Sequence, residues 1–158
     1  MCNYQSNKDY VSDDEHFARW LYRPRYLDNN DNFTPRFINL RDRDGFCEEG
    51  VSGQILERAG LKTVLCCGLS HRWKSNDGTP KEEKFVGFAK AKVGEIRGVA
   101  DEQGTSIDVV LTKSDVPFHA EIRFTIDGQL IKGNNQNPHF LRYKDRLKNL
   151  FAKDIFKM

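Results

Sequence analysis

Val116-Pro117-Phe118-His119-Ala120-Glu121-Ile122-Arg123-Phe124-Thr125-Ile126 alternates strictly, and that alternation decides the fold class. A β-strand sends successive side chains to opposite faces, so Phe118, Ala120, Ile122, Phe124 and Ile126 share an apolar side while His119, Glu121, Arg123 and Thr125 share a polar one. Asp127-Gly128 follows, before Gln129-Leu130-Ile131. Asp-Gly supplies the positive φ angles that a two-residue hairpin turn requires, so the strand should fold back antiparallel on its successor. Upstream, Ile107, Val109 and Leu111 alternate with Asp108, Val110 and Thr112 and predict another strand.

Working outward, residues 85–96 suit either a helix or a strand, and the internal glycines Gly87 and Gly94 favour the strand. The chain should end in its longest helix. Asn137 can cap it, Pro138 sits at its first position, and Phe140, Leu147, Leu150, Phe151 and Ile155 recur at helical spacing. Nearer the N-terminus, Ser12 and Glu15 fit a capping box, and Phe17, Trp20 and Leu21 fall on one helical face, which predicts a helix over residues 13–22 ended by Pro24. Ser52 could cap a short helix through Arg58 that stops at Gly60. Residues 61–69 read as a buried strand, 71–84 as an exposed loop, and 41–45 (Arg41-Asp42-Arg43-Asp44-Gly45) as a charged turn.

These elements imply an α+β fold, with residues 1–11 loosely ordered and 12–158 forming one domain. A mainly antiparallel sheet of about four or five strands should be covered by an N-terminal and a long C-terminal helix. With 158 residues, 38% of them hydrophobic, the chain can close one ordinary core. The formal charge of +2 gives only weak whole-molecule attraction to nucleic acid or anionic membrane, so any basic surface must be local. Cys2, Cys47, Cys66 and Cys67 show neither a CxxC pair nor the spacing of a zinc site. Adjacent Cys66 and Cys67 read as small buried apolar residues. The first residues lack the apolar core of a signal peptide, and no segment approaches the ~18 apolar residues of a membrane span. A reducing cytoplasmic location is expected, with no metal, no cofactor and no membrane partner.

Three residue sets bear on function. His119, Glu121 and Arg123 lie about 6.5–7 Å apart on one strand face. Imidazole, carboxylate and guanidinium there could exchange a proton, orient it and hold a phosphate, with His139 or His71 as the second proton-transfer group. The same pattern also describes the solvated side of any antiparallel strand. The last helix carries Arg142, Lys144, Arg146, Lys148, Lys153 and Lys157 against Asp145 and Asp154, a face that could meet nucleic-acid phosphates or an acidic protein. Arg19, Trp20, Tyr22, Arg23, Arg25 and Tyr26 mix cations with aromatics, as general-purpose contact surfaces do.

Residues 15–20, 33–37, 49–52, 86–97 and 117–122 together resemble a loose family of small bacterial proteins of similar length, linked to mobile elements and antiviral defence loci. The resemblance implies a bacterial accessory or toxin-related role and carries over no catalytic residue. The expected function is an interaction module with a protein partner, working through the Arg19, Tyr22, Arg23, Arg25 surface and through Arg142, Arg146 and Lys153. The alternatives are a metal-independent, ribonuclease-like enzyme using His119, Glu121, Arg123 and His139, and a non-catalytic nucleic-acid binder using the basic helix.

Overall fold

The computed structural model describes residues 10–40, 42–43, 46–47, 50–74, 78, 80–131 and 137–158. Its elements in chain order are β1 (His16–Arg23), β2 (Asp42–Arg43), β3 (Phe46–Cys47), β4 (Val51–Ile55), α1 (Leu56–Ala59), α2 (Leu61–Ser70), β5 (Trp73–Lys74) and β6 (Pro80–Lys81). Then come β7 (Lys84–Lys92), α3 (Val93–Arg97), β8 (Thr105–Leu111), β9 (His119–Ile126), β10 (Gln129–Leu130), α4 (Pro138–Ala152) and β11 (Ile155–Lys157). The α+β class holds. Among the described residues the main sheet has seven strands rather than four or five, all paired antiparallel. Ile122 of β9 faces Val51 of β4 on one side and Val109 of β8 on the other, so the order runs β8-β9-β4-β1-β7-β11, with β10 folded back on the end of β9.

Strand alternation separates two apolar layers. Phe17, Leu21, Ala89, Ala91, Ala120, Ile122 and Phe124 join the layer that receives Phe140, Tyr143, Leu147 and Phe151 of α4. Their neighbours Ala18 and Phe88 point to the other face, against Val64, Leu56 and Leu65 of α1 and α2. The sheet is therefore covered on both sides, as burial of two faces of β1 demands. On the α4 side the Phe151 ring meets Phe17 and Phe37 edge-on, with centroids 6.0 and 5.5 Å away. Burying side chains of this size contributes about 1.5–3 kcal/mol each.

The C-terminal signals act as read: the Asn137 side chain accepts hydrogen bonds from the backbone N–H groups of His139 and Phe140, at 3.0 and 3.4 Å. Ile155, however, lies beyond the end of α4 and belongs to β11, which pairs with β7. Gly87 makes that pairing possible, because its φ is +141° and a Cβ there would come within 2.0 Å of the Phe156 carbonyl oxygen. The glycine-based preference for a strand holds for β7, which gives way to the short helix α3 at Val93.

Five expectations need correction. The predicted N-terminal helix is strand β1. Half of its capping box forms, with Ser12 N–H donating to Glu15 Oε2 at 2.7 Å, but the Ser12 hydroxyl accepts from Asp14 N–H and the turn feeds a strand. Helical spacing of Phe17, Trp20 and Leu21 arose because a central strand is apolar on both sides. Conversely, residues 61–69 form helix α2, which buries Val64 and Gly68, one turn apart. Cys66 is accordingly exposed and Cys67 only half-buried. Ser52 lies within β4 instead of capping a helix, and the helical turn α1 begins after Ile55 and ends at Gly60 (φ +86°). Finally, β5 and β6 pair within what reads as a loop, and β2 pairs with β3 around the charged turn, whose Arg41, Asp44 and Gly45 lie outside the described residues. So do residues 1–9 of the expected loose N-terminal segment; Tyr10 is exposed and Val11 buried. No helix among the described residues is long and apolar enough to cross a membrane.

Candidate functional site

The site begins where the sheet comes apart. β1 and β4 pair only at Phe17–Ile55 and Ala18–Gln54; beyond Ala18, β1 follows β7 while β4 follows β9. Arg19 fills the opening. Its Nη1 donates to the Ser52 carbonyl and its Nε to the Phe37 carbonyl, both at 2.7 Å, and its guanidinium lies 4.5 Å from the centre of the Tyr26 ring. Arg19 is only 8% exposed and makes no ion pair with a carboxylate among the described residues, so carbonyls satisfy its hydrogen bonds without cancelling its charge. Gly53 is required beside it, since a Cβ there would lie 2.4 Å from Phe17 Cζ and 2.5 Å from the Ala18 carbonyl oxygen.

Over this split lies a cavity of about 320 Å³, built from five stretches of chain. β1 and the turn after it supply Arg19, Trp20, Tyr22, Arg25 and Tyr26; the segment that follows supplies Arg36 and Asn39. Ser52 and Gly53 come from β4, His71 and Trp73 from the chain leaving α2, and Ser114, Val116 and His119 from the β8–β9 connection and the start of β9. Three guanidinium groups and two imidazoles line it, and no carboxylate does among the described residues.

Local packing fixes these groups. The Arg25 guanidinium lies 3.7 Å over the Trp73 ring, a cation–π contact. His71 stands edge-on to Trp73 with centroids 4.5 Å apart and lies 5.6 Å from Trp20. Trp20 Nε1 donates to Gln54 Oε1 at 2.9 Å, and Gln54 Nε2 donates to the Pro117 carbonyl at 3.0 Å. The fully buried Gln54 thereby ties the floor of the cavity to the connection that carries His119. Tyr22 OH donates to the Gly68 carbonyl at 2.6 Å, and burial pushes its hydroxyl well above the ordinary tyrosine value.

His119, Glu121 and Arg123 do project from one face of β9, which alternates half-buried and buried residues from His119 to Phe124. Only His119 lines the cavity; Glu121 and Arg123 lie further along the strand, joined at 3.3 Å between Oε2 and Nε. His119 Nδ1 is hydrogen-bonded to Thr112 Oγ1, which leaves Nε2 for a ligand. Burial holds the His119 imidazole below the ordinary histidine range, and nearby Glu121 opposes this, so the neutral ring prevails near pH 7. Phe118, just before it, adopts φ +52°, an uncommon conformation for a residue with a side chain.

The expected pairing of His119 with His139 is not formed. His139 begins α4, on the opposite side of the sheet, and its Nδ1 lies 3.0 Å from Glu102 Oε2. The reason is the alternation of β9, which sends Phe124 to Phe140 of α4 and His119 the other way. His71 is the second histidine of the cavity. The Arg19, Tyr22, Arg23, Arg25 set is not an exposed contact surface either: Arg19, Tyr22 and Arg25 are buried, and Arg23 pairs with Asp31. On α4, Arg142 pairs with Glu102 and Arg146 with Asp101, each at 2.8 Å, while Lys153 is exposed at the C-cap. Lys157 sits on β11 and pairs with Asp31. Sequence reasoning missed Arg36, Asn39, Trp73, Ser114 and Val116 as site residues. Among the described residues, no group of three or more His, Cys, Asp or Glu side chains is placed to hold a metal ion.

No family profile, curated protein or solved structure matches the chain.

Proposed function

We propose that this protein binds a small phosphate-bearing ligand with a planar ring, of the nucleotide class, in the cavity at the sheet split. The observation that carries this reading is the composition of the lining: Arg19, Arg25 and Arg36 converge with His71 and His119, and the described lining residues include no carboxylate. A partly enclosed cationic pocket raises the local concentration of anions, and guanidinium forks match phosphate oxygens. Trp20, Tyr22, Tyr26 and Trp73 supply flat apolar walls, which suits a ring rather than a bare anion.

Binding of nucleoside monophosphates, the matching nucleosides and ribose phosphate, measured by calorimetry, tests this directly. Monophosphates should bind more tightly than either fragment. Arg36 is exposed, so Arg36→Ala should leave folding intact and weaken monophosphate binding by roughly 10- to 100-fold, the loss expected for a charge-assisted hydrogen bond. Nucleosides binding as tightly as nucleotides, or an Arg36→Ala variant with unchanged affinity, would refute the reading.

The interaction-module and nucleic-acid readings lose support from the burial of the Arg/aromatic set and from the ion pairs of Arg142 and Arg146. Binding of single-stranded nucleic acid that weakens steeply with salt and depends on Lys148 and Lys153 would restore the second. A bacterial defence-related setting rests on the sequence resemblance, and the genes flanking this one test it.

A further inference from the structure

We infer that the cavity is catalytic and cleaves a ribonucleotide phosphodiester, with His119 as general base and His71 as general acid. This rests on the nucleotide-class reading above and adds a reaction to it.

Two imidazoles line one cationic cavity from separate segments, the start of β9 and the chain leaving α2. Thr112 anchors His119 through Nδ1, so Nε2 is the nitrogen available to a substrate. Half-buried, and with Glu121 further along the same strand face, that ring is held ready to accept a proton. His71 is oriented by its edge-on contact with Trp73 and sits beside Trp20. Arg36 is the exposed cation of the lining, and Arg19 brings a buried positive charge that no carboxylate among the described residues neutralises. Both stabilise charge that builds up on a phosphoryl group.

These parts suit a phosphodiester whose own ribose carries the nucleophile. His119 Nε2 removes the proton from the ribose hydroxyl next to the phosphodiester. The freed oxygen attacks phosphorus and a new P–O bond forms. The P–O bond to the following nucleotide breaks, and His71 gives its proton to the leaving oxygen. The products are a cyclic phosphodiester and a free hydroxyl, with no change of oxidation state and no water consumed. Thr112 is a positioning residue, acting only through His119.

The test incubates the full chain with a short single-stranded RNA of mixed sequence, its deoxy counterpart, and each in the presence of a chelator. The RNA should be cut to cyclic-phosphate and hydroxyl ends at a rate the chelator does not change, and the deoxy strand should stay intact. His119→Asn and His71→Asn should each slow cleavage by roughly 10²-fold or more, with the loss in kcat rather than in KM. Thr112→Val should lower the rate and displace its pH profile with little change in KM, which a purely structural role would not do. Cleavage of the deoxy strand, or undiminished cleavage by His119→Asn, overturns the inference. Nucleotide binding without cleavage overturns it too, yet leaves the binding function standing; absence of nucleotide binding removes both.

Discussion

Replacing Gly53 by alanine places a methyl group where two parts of β1 already stand. The new Cβ would lie 2.4 Å from Phe17 Cζ, 2.6 Å from Phe17 Cε1 and 2.5 Å from the Ala18 carbonyl oxygen, against 3.4–4 Å for ordinary contact. An overlap of about 1 Å on three atoms cannot be relieved by one rotamer change, because the Phe17 ring is backed by Phe151 and Ala18 is held by its pairing with Lys90 of β7. Overpacking of this kind costs about 1–3 kcal/mol, and the immovable carbonyl puts Gly53→Ala near the upper end. The entropy that alanine removes from the unfolded chain returns about 0.5–1 kcal/mol, leaving a net loss of roughly 2 kcal/mol. For a chain of this size that is a fall in Tm of roughly 4–8 °C by differential scanning calorimetry. Because Ser52 accepts from Arg19, the same variant should also bind nucleotides less tightly. A Phe17→Leu, Gly53→Ala double variant should be less destabilised than the sum of its parts by at least about 0.5 kcal/mol, since the shorter side chain makes room. A Tm within about 1 °C of the unaltered protein, or strict additivity, would show that the close approach of β1 and β4 is not what constrains this position.

Two further outcomes follow from the geometry. Asn137→Ala removes the acceptor for the N–H groups of His139 and Phe140 and should cost about 1 kcal/mol, read as a lower urea midpoint with unchanged slope; an unaltered midpoint would show that α4 needs no cap. Burial lowers the His119 pKa from 6.5 in the folded protein, so the unfolded chain takes up the proton first as pH falls. Stability contributed by the neutral ring is present above pH 6.5 and lost as pH drops toward the folded value, and urea midpoints measured across that interval should fall less steeply in His119→Gln; identical slopes would contradict the burial argument.

Where local chemistry decides structure, the sequence could be read. Asn137-Pro138 marks the start of α4, Asp127-Gly128 turns β9 into β10, and the alternation of residues 107–111 and 119–126 yields β8 and β9, although Phe118, expected on the apolar side, precedes β9 and is exposed. Where burial is two-sided, it misled. Phe17, Trp20 and Leu21 mimic a helical stripe because β1 lies between two apolar layers, while the apolar run 61–69 mimics a buried strand although α2 buries so little of its surface. The polar face of His119 was visible for the same reason β9 was. Its cavity was not, because its lining comes from five stretches that only the strand order brings together, and nothing local to Arg36 or Trp73 announces that they face His119 across the split. His139 shows the converse: a histidine attractive by type, which α4 carries to the wrong side.

The parting of β1 from β4 has a mechanical consequence. Past Ala18 the two halves of the sheet, β8-β9-β4 and β1-β7-β11, are bridged by side chains rather than by a backbone ladder, so that stretch behaves as a seam stitched by the Arg19 guanidinium and the Trp20–Gln54 hydrogen bond. Slow amide exchange should therefore end abruptly there, and an anion settling against Arg19 would pull on the stitch itself, so that occupancy of the cavity and the gape of the seam rise and fall together.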